Sequence, residues 1–321
     1  MSNPKTLIVG GAGYIGGHLT DILKKDFDVT VLDNLTYEDK YLKGVKFINF
    51  NINDFNLDSS LKDIITKFDT IIWLAAVVGD GACEVDKKVT KICNEDSVKW
   101  LVDNFPDKQI VFTSTCSVYG INNDLIDETA VPNPISTYAV TKLNAEQYII
   151  NNHKNYLIFR LGTLYGIGDE FSRIRLDLVL NFLTCLAVRG KNLTVFGGEQ
   201  WRPLLHVKDV GEGIKFCLEN NITGLYNLSS GNVIVKDIAE TIKQIIPSTV
   251  IDYLQIKPSD ARNYKVKNDK ILATGWRPKY TMENGIAEIQ DVISARRIKN
   301  PDADIYHNAN FLKNKYNFNH A

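Results

Sequence analysis

Thr6-Leu7-Ile8-Val9, a short apolar run, leads straight into Gly10-Gly11-Ala12-Gly13-Tyr14-Ile15-Gly16, and from Tyr14 to Leu23 apolar residues recur at helical spacing. Few folds accommodate a strand that enters a helix through glycines at 10, 13 and 16. Glycine permits the tight turn and lacks the side chain that would keep an anion off the backbone. The helix behind it offers free N–H groups and the positive end of its dipole. Strand, glycine turn and helix in that order predict a pyrophosphate cradle at the carboxyl end of a parallel strand. Val29–Leu32 reads as the next strand, closed by Asp33 and followed by Asn34. A carboxylate there accepts from both hydroxyls of an adenine ribose and repels a 2′-phosphate, and no Lys or Arg follows at once. The expected cofactor is NAD rather than NADP.

The same rhythm continues. Lys46–Asn49, Thr70–Leu74, Ile110–Thr113 and Tyr156–Arg160 read as strands; Leu57–Phe68, Val89–Phe105 and Tyr138–Asn152 read as helices. The alternation predicts an α/β fold, a Rossmann-type doubly wound parallel sheet with helices on both faces. Beyond Gly166 a helix is expected at Ile174–Arg189, a strand at Leu193–Phe196 and a helix at Val207–Glu219. A strand at Gly224–Leu228 and a helix at Lys236–Ile246 are expected to rejoin the main sheet. Val250–Ile256 alternates like a half-buried strand, Met282–Arg297 is a late amphipathic helix, and the polar tail from Asn300 is expected to be loosely attached. The expected organisation is a dinucleotide-binding domain at 1–166, to which 205–246 returns, and a smaller α/β substrate lobe made of 167–204 and 247–321.

Composition removes several classes of function. Lys and Arg number 37 against 38 Asp and Glu, a net charge of −1, so there is no basic excess to hold a nucleic acid. No apolar stretch reaches the ~18 residues that a membrane helix needs, so no membrane partner is expected. Met1 to Thr6 carries one lysine and no apolar run, unlike a standard signal peptide. Cys83, Cys93, Cys116, Cys185 and Cys217 are widely spaced with no C-x-x-C, so neither a metal site nor a disulfide framework is predicted and a cytoplasmic location is expected.

The chemistry lies in Ser136-Thr137-Tyr138-Ala139-Val140-Thr141-Lys142. At the start of a helix, Tyr138 and Lys142 share a face. An ammonium held there is expected to draw the phenol down from its usual value of about 10. The tyrosinate then takes a hydroxyl proton while hydride leaves for a nicotinamide. The spacing recurs at Tyr253 and Lys257, but on an alternating strand, which sets the two roughly 13 Å apart. The strand Ile110–Thr113 runs on through Ser114 to Thr115, whose hydroxyl falls just beyond a carboxyl end, where reactive groups of such sheets sit.

On these residues the chain resembles the extended short-chain dehydrogenases/reductases of the nucleotide-sugar epimerase and dehydratase group. The match runs from residue 5 to about 290 and also takes in Leu74-Ala75-Ala76, Arg160-Leu161-Gly162-Thr163-Leu164-Tyr165-Gly166 and Arg202-Pro203-Leu204-Leu205-His206-Val207. The resemblance implies Tyr138, Lys142 and Thr115 as catalytic residues. It implies that NAD is contacted by Gly10, Gly13, Tyr14, Ile15, Gly16, Asp33, Asn34, Asn51, Ile52, Leu74, Ala75, Ala76, Val77, Thr113, Tyr138 and Lys142. It implies a nucleotide-diphosphate sugar held by Thr115, Thr163, Asn181, Thr194, Val195, Phe196, Arg202, Lys257 and Asp260, with Arg262 in the same late segment. Arg202 stands at the family's diphosphate position, where a forked guanidinium suits better than Lys. His206 is expected to be structural.

Departures from the family narrow the reaction. Its dehydratases carry acidic residues within the two positions after the threonine; here stand Cys116 and Ser117, and neither replaces a Glu base at neutral pH. Its 3,5-epimerases carry a cysteine two residues after the threonine, where this chain has Ser117. Cys116 reads as a small strand-end filler. What remains is oxidation at a sugar carbon, most often C4, followed either by hydride return to the opposite face or by release of the ketone. Thr163 and Lys257 replace an Asn and an Arg of the hexose 4-epimerases, which weighs against a UDP-galactose type. Ser172–Asp177 and Gly198–Pro203 resemble a branch that oxidises C4 of GDP-manno-heptose for bacterial capsule. The expected reaction is that 4-dehydrogenation, with UDP-hexose 4-epimerisation as the alternative. A non-catalytic NAD sensor is a third reading, but it has no use for Tyr138 and Lys142. The family implies a homodimer or homotetramer, paired through the helices Val89–Phe105 and Tyr138–Asn152.

Overall fold

The computed structural model describes residues 4–57, 59–169, 173–255 and 262–318. Seven strands form the main sheet, in the order Gly224–Leu228, Tyr156–Leu161, Gln109–Thr115, Thr70–Trp73, Lys5–Val9, Asp28–Asp33, Lys46–Asn49. Every pairing in it is parallel. This is the expected α/β architecture, a doubly wound Rossmann-type sheet. The strand order reverses at Lys5–Val9, so a crevice opens beyond its carboxyl end, where such sheets take their ligands.

Strands buried on both faces are apolar at nearly every position. Leu7 and Val9 point into one layer and Ile8 into the other. In the first layer Ala145 and Ile149 of the helix Thr137–Asn152 and Val98 and Leu101 of Ser97–Asn104 meet Trp73 and Phe112. In the second, Leu19 and Leu23 of Gly16–Leu23 and Val210 and Ile214 of Val207–Glu219 meet Val31 and Val111.

A second cluster joins the helices Val179–Val188, Val235–Ile245 and Met282–Ser294 through Leu180, Leu183, Ile242, Ile286 and Ile289. The helix expected to rejoin the main sheet at 236–246 thus packs elsewhere. Its stripe of Ile238, Ala239 and Ile242 meets the apolar faces of the other two helices. Periodicity shows that a helix has a buried face, not which partner covers it. The helix expected from Ile174 begins only at Val179, because the residues before it are held by other bonds. Leu176 N donates to Tyr306 O at 3.0 Å, and Arg175 Nε donates to Asp177 Oδ1 at 2.9 Å. The helix expected at 89–105 starts at Lys87 and passes through a π turn at Ile92–Asp96.

The tail departs furthest from expectation. A 3-10 turn at Asp304–Tyr306 and a helix at Asn308–Phe318 dock on the body, with Asn308 and Leu312 buried. The attachment is made largely by polar groups, so no apolar period announces it. Among the described residues no helix is long and apolar enough to cross a membrane.

Candidate active site

A cleft of about 1000 Å³ opens over the crevice, lined by the glycine turn, Asp33–Glu38, the loop Leu74–Gly79 and the start of the helix Thr137–Asn152. Gly10 and Gly16 of the turn tolerate no side chain. Gly10 has φ +84°, and a Cβ there would lie 2.5 Å from Ala75 N; one on Gly16 would lie 2.4 Å from Gly11 O. Bare backbone therefore faces the cleft at the amino end of Gly16–Leu23. Asp33 accepts from Ala12 N at 3.1 Å and from Leu35 N at 2.8 Å, which aims its carboxylate across the turn. Burial raises its pKa against the pull of those N–H groups. Asn34 Nδ2 donates to Asn51 Oδ1 at 3.3 Å, and Ile52 follows, buried. The Tyr14 hydroxyl donates to Gly166 O at 2.6 Å, so it joins the turn to the substrate side.

Tyr138, Lys142 and Thr115 all line this cleft. Ser136 caps the helix of Tyr138 and Lys142 by accepting from Ala139 N at 3.3 Å, and its hydroxyl donates to Asp80 Oδ1 at 2.7 Å. Lys142 is 2% exposed, with Nζ 4.0 Å from the Phe112 ring centroid. Burial pushes its pKa down to about 7. Burial also pushes the Tyr138 phenol up and Cys83 adds to the rise, while Arg175 and the Thr115 hydroxyl pull the other way. The expectation that Lys142 draws the phenol down is thus not met by the protein groups alone, because burial dominates at both positions. Glu146, a carboxylate that acts on Lys142, is itself bonded to Arg160 at 3.1 Å. A buried ammonium placed so fits a ligand that brings hydroxyl acceptors to it, as a ribose does.

Arg160 also donates to Tyr119 OH at 2.7 Å, so it ties the strand Tyr156–Leu161 to the turn Cys116–Tyr119 as well as, through Glu146, to the helix Thr137–Asn152. Thr163 and Arg202 also line the cleft, and Arg202 Nη1 donates to Arg262 O at 2.6 Å. Ser117 lines it too, with its hydroxyl 2.9 Å from Arg262 Nη1 and 3.3 Å from Tyr264 OH. Cys116 is fully buried and its thiol donates to Arg160 O at 3.2 Å, which matches the filler role. His206 is buried, 3.0 Å from Glu288 Oε2, and caps the following helix by accepting from Lys208 N at 3.2 Å.

Not every expected residue reaches the cleft. Asn181 is fully buried, with Oδ1 accepting from Gly166 N at 2.8 Å and Nδ2 donating to Arg175 O at 2.8 Å, so its groups are committed to the scaffold. Val195 packs in the second hydrophobic cluster, while Thr194 and Phe196 lie exposed on the other face of their strand. Lys257 and Asp260 lie outside the described residues. Conversely, Arg173, Arg175 and Asp80 line the cleft without having been singled out as site residues. Asn94 stands behind it. Its signal was an amide in an otherwise regular helical run, a weak one.

The residues 6–229 match the family model described as "NAD dependent epimerase/dehydratase family". The chain is 27% identical over 312 residues to the UDP-glucuronic acid decarboxylase 6 of Arabidopsis thaliana, covering 91% of this chain and 89% of that protein. It is 26% identical over 311 residues to the human dTDP-D-glucose 4,6-dehydratase, covering 88% and 87%. Among solved structures it is similar to the UDP-glucuronic acid 4-epimerase from Bacillus cereus in complex with UDP-glucuronic acid and NAD, with TM-score 0.77, 25% identity, and 91% and 99% of the two chains covered.

Proposed function

Because the chain belongs to the NAD-dependent epimerase/dehydratase family, we propose that it oxidises the C4 hydroxyl of a nucleotide-diphosphate sugar. The observation that carries this reading is the convergence of Thr115, Tyr138 and Lys142 on the cleft that holds the glycine turn, with no acid at positions 116 and 117. Bound NAD supplies the acceptor for a hydride. Asp33 would hold the adenine ribose, and the bare turn would admit the pyrophosphate. Lys142 would donate to the nicotinamide ribose beside Tyr138, and the positive charge of oxidised NAD would add to the pull of Arg175 and Thr115 on the phenol. Thr115 orients the sugar hydroxyl, and the Tyr138 oxygen takes its proton as C4 is oxidised to the ketone. Ser117, clamped between Arg262 and Tyr264, offers no base to remove a proton from C5, so the reaction goes no further toward dehydration.

For the sugar we take GDP-manno-heptose as the first candidate. The segments 172–177 and 198–203 carry that likeness, and Arg173, Arg175, Asp177 and Arg202 line the cleft. Ser172 lies outside the described residues. The second reading is 4-epimerisation, in which Tyr138 gives the proton back as C4 is reduced from the other face. The similarity to a 4-epimerase across 91% of this chain favours it. Incubation with NAD and either GDP-manno-heptose or UDP-glucose separates the two. NADH absorbance and a 4-keto product from the heptose support the dehydrogenase; a new anomeric NMR signal from UDP-glucose without NADH supports the epimerase. Neither signal with any GDP- or UDP-linked sugar defeats the proposal.

A further inference from the structure

We infer that the C-terminal segment 304–315 is a latched roof of the dinucleotide cleft, fastened by Asn308, which limits how fast NAD enters and leaves. The inference rests on the binding of NAD and not on which sugar is oxidised.

The segment crosses from one wall of the cleft to the other. On the adenosine side, Phe311 packs on Tyr37 with ring centroids 4.9 Å apart, four residues beyond Asp33 in sequence. Arg173 covers the Tyr37 ring at 3.9 Å. On the opposite side, the helix Asn308–Phe318 packs against the short helix Asp80–Cys83, which follows the cofactor loop. His307, Asn308, Ala309, Leu312 and Lys315 line the same cleft as the glycine turn and Lys142. A dinucleotide held at Asp33 and Lys142 would occupy the cleft that this span lines.

Asn308 is the fastening because its groups reach separate segments. Its N–H donates to Asp177 Oδ2 at 3.0 Å and its Oδ1 accepts from Arg173 Nη2 at 2.6 Å. Its Nδ2 donates to Val78 O at 2.9 Å. Arg173 also donates to Ile305 O, and Leu176 N to Tyr306 O at 3.0 Å. Asn308 is 5% exposed, as is Leu312 beside it. Lifting the roof breaks all these bonds together and exposes Leu312, so opening is cooperative rather than a fraying of the terminus. Lid opening of this kind sets the exchange rate of whatever lies beneath. Asn308 touches neither reacting atom, and its role is that of a positioning residue.

The test measures cofactor exchange in the full chain, with no sugar present. Protein loaded with NAD is mixed with excess etheno-NAD, and release is followed by fluorescence. Asn308→Ala is expected to exchange at least about tenfold faster than the unaltered chain. A locking variant guards against misfolding. A Cβ on Gly81 would lie 3.4 Å from Ala309 Cβ, close to disulfide spacing, so Gly81→Cys with Ala309→Cys can bridge helix and roof. The five native cysteines are buried and unpaired. The oxidised double variant is expected to exchange at least about tenfold more slowly than the same protein after reduction. Equal exchange rates before and after reduction overturn the proposal. A chain that fails to take up NAD at the loading step overturns the cofactor reading itself, and the two failures are thereby distinguished.

Discussion

Asn94 grips both main-chain polar groups of Val77: its Oδ1 accepts from Val77 N at 2.8 Å and its Nδ2 donates to Val77 O at 2.9 Å. The same Nδ2 lies 3.4 Å from Thr141 Oγ1, next to Lys142. One buried amide thus joins the cleft-lining loop Leu74–Gly79 to the helix Thr137–Asn152. Asn94 sits in the π turn Ile92–Asp96, which shifts its helix out of the ordinary register and aims the side chain at the loop.

Asn94→Ala takes the oxygen acceptor from Val77 N and leaves Val77 O only the weak Cys83 thiol at 3.2 Å, at about 1–3 kcal/mol for a main-chain group that stays dry. The expected outcome is a lower melting temperature by circular dichroism and NAD affinity weakened at least about tenfold. A variant that melts and binds NAD like the unaltered chain dismisses the positioning role.

Tyr138→Phe removes only the oxygen proposed to take the proton. Loss of a positioned base costs about 10²–10⁴-fold in rate. Turnover is expected to fall by that factor while NAD affinity, measured by calorimetry, stays within about twofold. Activity near the original level means another group takes the proton.

Lys142 makes a prediction about pH. Its pKa falls from 10.5 to about 7 on burial. Between those values the unfolded chain binds more protons than the folded one, so the stability tied to this group rises with pH across that window and is lowest below about 7. Lys142→Met removes the burden. In protein stripped of NAD, the variant is expected to be more stable than the unaltered chain by ~2–4 kcal/mol near pH 6.5, with the gap closing toward pH 10. Urea unfolding at several pH values measures it. A gap that is absent or widens with pH shows that the ammonium is not held dry. Turnover falls in the same variant, so stability and function separate.

The strands and the glycine turn were legible because each obeys a local rule: Leu7, Ile8 and Val9 are apolar on both faces, and glycines mark where backbone must be bare. Tyr138 and Lys142 were legible because a helix fixes which positions share a face. The helix Val235–Ile245 was recognised but sent to the wrong layer, since its stripe names no partner. Asn181 was read as a ligand contact, yet its amide is consumed by Gly166 and Arg175, a long-range fact that no spacing encodes. Asn308 and Arg173 find each other across 135 positions through hydrogen bonds alone, so the roof left no periodic trace.

The helix Thr137–Asn152 is fastened by a buried ion pair, and this yields a test of how much of the candidate site is held in place from behind. Arg160 Nη2 lies 2.5 Å from Glu146 Oε1, with the two side chains 4% and 0% exposed. Burial resists charging Arg160, but the Glu146 carboxylate more than offsets it and holds the guanidinium charged. Glu146→Gln leaves that charge buried with only neutral partners, which costs about 3–5 kcal/mol. Replacing both members at once, Glu146→Leu with Arg160→Met, removes the uncompensated charge along with the pair. The double variant is expected to regain most of the lost stability in urea unfolding, because apolar groups of similar volume serve such a position as well as the pair does. Turnover separates the two roles. Tyr119 and the helix Thr137–Asn152 are tethered through Arg160, so the stable double variant is still expected to turn over more slowly. Full activity in it shows that the pair only neutralises charge and does not aim Tyr138.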